Sequence, residues 1–152
     1  MDELRIHQLT KEMVAEELRQ LGDPCATAAE VVRKTLAAAL ANAPAGTEGQ
    51  RVIEDTVRGA MTALLLAEQS LTKGGMMILQ TVLETTYEHV APQDAMAAAL
   101  RGLADMRRFV DPDRLDEMRI QIAATYMGAG ELFSDYLRAP LPEGWPTPAK
   151  TR

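Results

Sequence analysis

Apolar residues recur every three or four positions over most of this chain, and prolines cut the pattern into helix-sized pieces. The internal cuts are Asp23-Pro24, Ala43-Pro44, Ala91-Pro92 and Asp111-Pro112. Proline fits the first turn of a helix, where its missing N–H would have had no partner, and it breaks a helix interior. Period and punctuation together predict an all-α fold. The expected architecture is an antiparallel bundle of five or six helices, with an elongated form allowed.

The stripes place the elements. Residues 4–21 carry Ile6, Leu9, Met13, Leu18 and Leu21 on one face, with Thr10 as an alternative starting cap. A second helix opens at Asp23-Pro24 or at the capping box Thr27–Glu30, and aligns Val32, Leu36, Ala39 and Ala43. Thr47 and Gln50 open the third, whose seam of Ile53, Val57, Ala60, Leu64, Ala67 and Leu71 keeps an unbroken heptad pattern. Met76, Leu79, Leu83, Tyr87 and Val90 follow in a shifted phase. A break at Gly74-Gly75 accounts for the shift, and is preferred to one helix from about Val52 to His89, roughly 55 Å long. Two glycines inside that helix would cost about 2 kcal/mol relative to alanine.

The fifth helix starts at Pro92 and presents Met96, Leu100, Leu103 and Val110. Asp111 caps the sixth, where Leu115, Met118, Ile122, Thr125, Ala129, Leu132 and Tyr136 form a second continuous seam. Val32-Arg33-Lys34, Val57-Arg58-Gly59 and Leu100-Arg101-Gly102 sit at comparable places in their helices, but their unequal spacing is not that of a repeat protein. Residues 139–152 are proline-rich and expected to be extended. The organisation is therefore a single helical domain over residues 1–138 and a tail over 139–152.

Composition narrows the function classes. With 152 residues, 47% of them hydrophobic, the chain can bury a core and is too apolar to be disordered. The most apolar stretch, Gly59 to Leu83, is interrupted by Glu68, Gln69, Lys73, the glycine pair and Gln80, so it reads as a buried helix and not a membrane span. The first residues lack a signal-peptide pattern and the one cysteine excludes an internal disulfide, which makes a cytoplasmic location the default expectation. Net charge is −6, and Arg101, Arg107, Arg108, Arg114 and Arg119 are offset by Asp105, Asp111, Asp113, Asp116 and Glu117. Nucleic acid and anionic lipid are poor partners for such a surface.

No local pattern points to catalysis, a metal or a cofactor. Glu84, Glu88 and His89 are the nearest thing to a ligand cluster, and they read as the solvated end of a helix. Asp111-Pro-Asp-Arg-Leu-Asp-Glu fails as a calcium loop because Asp116 stands where the glycine is required. Cys25 falls in a first helical turn without a histidine near it in sequence, and reads as a small buried residue. Neither Gly74-Gly75 nor Gly128-Ala-Gly130 matches a phosphate loop.

Two features remain. Every aromatic residue lies at or beyond Tyr87, so a small apolar ligand would find its pocket among Tyr87, Phe109, Tyr126 and Phe133. Trp145, the sole tryptophan, stands in the stiff tail as a candidate docking anchor. The seams also offer more apolar surface than a slender alanine-rich bundle covers, which makes Leu64 and Leu71 candidate contacts with another copy or a partner protein. The expected role is a non-catalytic interaction or scaffold protein without a cofactor, and the alternative is a small-molecule or lipid-binding bundle. In its small size, acidity, abundant alanine and heptad-patterned helices the chain is similar to phasins, the bacterial granule-coat proteins. That resemblance is compositional and covers no diagnostic motif, so no family is assigned from it.

Overall fold

A computed structural model describes residues 23–41 and 47–140. Over those residues the chain forms six helices packed against one another and no strand. They are α1 (Pro24–Ala41), α2 (Thr47–Leu66), α3 (Leu71–Thr86), α4 (Pro92–Ala104), α5 (Pro112–Thr125) and α6 (Ala129–Arg138), with a 3-10 turn over Asp105–Arg108. The expected helix over residues 4–21 and Trp145 with the tail beyond Pro140 lie outside the described residues.

Local chemistry sets the starts. The Asp23 carboxylate accepts from the backbone N–H of Cys25 at 3.1 Å and of Ala26 at 3.3 Å, so Asp23 and not Thr27 opens α1. The Ala26 hydrogen bond, with Lys73 in support, holds that carboxyl below its ordinary pKa against the small cost of burial. Asp111 accepts from Arg114 N–H at 3.2 Å and Pro112 follows in the first turn, as the sequence predicts. Pro92 opens α4 in the same way, though without a side-chain cap.

α3 is the central element, packed on α1, α2, α4 and α5. Leu36, Ile53, Leu64, Ile78, Leu79, Leu100, Leu103, Met118, Ile122 and Phe133 are fully buried in one cluster around it. Fully burying such a side chain stabilises by about 1.5–3 kcal/mol.

The long apolar stretch does break, but not at the glycines. α2 stops at Leu66 and α3 starts at Leu71, so Gly74 and Gly75 lie inside the next helix. Glu68 takes the left-handed φ of 58°, Gln69 N–H returns to the Leu64 carbonyl at 3.0 Å, and Ser70 Oγ accepts from Lys73 N–H at 3.1 Å. A hydroxyl cap and a left-handed turn residue therefore end and restart the helix without glycine. The glycines serve close approach instead. A Cβ on Gly74 would overlap the Leu64 side chain, and one on Gly75 would meet Met118 Sδ at 3.3 Å.

A second correction concerns the seam from Leu115 to Tyr136, which is two helices and not one. Gly128 adopts φ 81°, a conformation costly for other residues, and turns the chain between α5 and α6. Gly130 then lets α6 fold tightly onto α5, because a Cβ there would lie 2.5 Å from Ala123 Cβ. Val110 likewise lies beyond α4, past the 3-10 turn.

Candidate functional site

Where α2 meets α4 and the 3-10 turn, charges gather. Arg58 Nε lies 2.5 Å from Asp105 Oδ2, and its Nη atoms reach Asp55 at 2.9 Å and Glu54 at 3.1 Å. Glu54 also accepts from Arg101 Nε at 3.0 Å, and Arg101 Nη1 donates to Tyr136 Oη at 3.3 Å. The second Asp105 oxygen faces Arg108 at 3.5 Å and Arg107 at 3.7 Å. Gly102 admits this closeness, because a Cβ there would sit 2.8 Å from the Glu54 carbonyl oxygen and 2.9 Å from Val57 Cβ.

Burial works against the Arg58 charge, but the hydrogen bond and charge of Asp105, with Asp55 and Glu54, outweigh it and raise the pKa. For Arg107 burial prevails over Asp105, with Arg108 adding repulsion, and the pKa falls. Guanidinium groups stay protonated in either case, so these arginines act as fixed positive charges that tie the helices together.

Beside the clamp an open cleft of about 510 Å³ runs between the 3-10 turn, α5 and α6. Val110, Pro112, Leu115 and Leu137 give it apolar walls. Its charged lining comprises Arg107, Asp113, Asp116, Arg119 and Arg138. Arg119 is paired with Asp116 at 2.8 Å and Arg138 with Asp135 at 2.7 Å.

The residues singled out in the sequence are scattered. Leu64 and Leu71 are buried inside the chain, where they pack in the core instead of lining an open face. Phe133 is fully buried and Tyr126 half-buried against the core, whereas Tyr87 and Phe109 are 65% and 59% exposed. None of these four aromatics lines the cleft. Burial, then the nearby Glu84 charge, raises the Tyr126 pKa. Cys25 is buried with Sγ 3.8 Å from the Ser70 carbonyl oxygen, and burial pushes its thiol up despite Lys73. Glu84, Glu88 and His89 are exposed, and no group of three or more metal-ligating side chains occurs among the described residues.

Sequence reasoning did not find the cleft, although one signal was there. The alternation of Arg107 and Arg108 with Asp105, and of Asp116 with Arg119, read as mutual charge compensation, and these are pairs in the structure. Compared with protein-family models, with curated proteins and with solved structures, the chain matches none. No helix among the described residues is long and apolar enough to cross a membrane.

Proposed function

We propose that this chain is a non-catalytic interaction module, an antiparallel helical bundle that associates with a second copy of itself. The observation that carries the reading is the surface of α5 and the turn after it. α5 buries only Leu115, Met118 and Ile122, leaves Ile120 51% exposed, and is followed by Met127 at 101%. Exposed methionine is a flexible apolar side chain that adapts to a partner, and the exposed Ile120 adds further apolar surface. Leu64 and Leu71 belong to the interior in this reading.

Sedimentation velocity over a wide concentration range tests it. The wild type is expected to sediment as an oligomer that the double substitution Ile120→Asp with Met127→Asp disperses, with helical circular dichroism unchanged. A wild type that stays monomeric throughout refutes self-association, and an oligomer indifferent to both substitutions refutes this surface.

A further inference from the structure

The cleft has an occupant within reach. Its lining includes Leu137 and Arg138, and the chain passes from there through Ala139 to Pro140 at the end of the described residues. Arg107, also in the lining, donates from Nη2 to the Ala139 carbonyl oxygen at 3.2 Å, which holds the departing chain at the cleft's edge. Leu141-Pro-Glu-Gly-Trp145 comes next, between Pro140 and Pro146. At about 3.1 Å per residue, an extended proline-rich segment of this length would reach roughly 16 Å from Pro140.

Size and charge both suit this segment. The cleft's 510 Å³ and its walls of Val110, Pro112, Leu115 and Leu137 can take one indole, the type of rigid aromatic that anchors docked segments. Arg119 and Arg138 already have carboxylate partners at 2.8 Å and 2.7 Å. Arg107 donates to the carbonyls of Ala104 and Ala139, at 3.0 Å and 3.2 Å, but its closest carboxylate is a 3.7 Å share of Asp105, which Arg58 approaches at 2.5 Å and Arg108 at 3.5 Å. Glu143 is the one acidic residue from Leu141 onward.

We propose that this cleft is the seat of the chain's own segment Leu141–Trp145, with the Trp145 indole on its apolar wall and Glu143 beside Arg107. Proline stiffness favours docking because little conformational entropy remains to be lost. The contact lies within one chain, so it stands or falls separately from self-association through Ile120 and Met127.

Trp145 is the sole tryptophan, so its fluorescence reports this one position. The full chain is expected to show blue-shifted emission and protection from acrylamide quenching, both independent of protein concentration. Val110→Lys and, separately, Ser134→Arg should abolish the protection by charging or filling the cleft, with helical circular dichroism retained. Val110 and Ser134, which also lines the cleft, are both half-buried, and the second variant keeps the test intact should the first unfold. Glu143→Gln should weaken the protection. Emission already matching the urea-unfolded chain overturns the proposal. So does protection that survives the fully folded wall variants, or protection lost on dilution, which would place the tail in another copy's cleft.

Discussion

Replacing Gly102 by alanine sets two opposing effects against each other in the last turn of α4. Alanine is favoured over glycine within a helix by about 0.8–1.0 kcal/mol. The new methyl, however, would lie 2.8 Å from the Glu54 carbonyl oxygen and 2.9 Å from Val57 Cβ, and neither atom is the free end of a flexible side chain. Overpacking of this kind costs about 1–3 kcal/mol. The net expectation is a destabilisation of about 1 kcal/mol, worth about 2–4 °C in melting temperature for a chain of this size. Gly59 supplies the control. It lies in α2 with nothing within 4 Å of the place a methyl would take, so Gly59→Ala should stabilise by about 0.8 kcal/mol. Urea unfolding followed by circular dichroism measures both, with midpoints compared at constant slope. If Gly102→Ala stabilises as much as Gly59→Ala, α2 and α4 do not meet at the close approach these distances imply.

Two further perturbations probe the charges. Asp105→Asn removes the carboxylate shared by Arg58, Arg107 and Arg108 and should cost about 3 kcal/mol, at the lower end of the range for a broken buried pair because Arg58 is partly exposed. An unfolding midpoint that hardly moves would dismiss the clamp as a stabilising feature. The raised Cys25 pKa means that the folded state holds the thiol proton more tightly than the unfolded one. That contribution is complete below the unfolded thiol's range and is lost as pH climbs through the folded value, so melting temperature should decline at alkaline pH. Cys25→Ala should flatten the decline, with Tyr126 and Tyr87, whose pKa values are also raised, contributing to what is left, and parallel curves for the two proteins would contradict the assignment.

What could be read from sequence followed from short-range chemistry. Pro24, Pro92 and Pro112 start helices because each needs only its own backbone geometry, and Asp23 and Asp111 cap because their partners lie two or three residues away. The apolar faces carrying Val32, Leu36, Ile53 and Val57 followed from helical period alone, whereas period could not say whether Leu64 is covered by this chain or by another. Glycine was where local reading failed. Gly59 and Gly102 close matching triplets, Val57-Arg58-Gly59 and Leu100-Arg101-Gly102, yet one faces open space and the other the backbone carbonyl of Glu54 on a different helix. Gly74-Gly75 resembled a stop for the same reason, since a close helix crossing and a helix end call for the same residue. The cleft escaped notice because its lining joins the 3-10 turn, α5 and α6 only after Gly128 reverses the chain.

The position of α3 bears on how the chain is made. Synthesis delivers α1 and α2 first, but the helix that packs on both of them, and also on α4 and α5, comes afterwards. Until residues 71–86 have left the ribosome, the faces of α1 and α2 that pack on α3 lack that cover. These two helices therefore carry uncovered apolar surface for a time during synthesis, the condition under which incomplete chains aggregate.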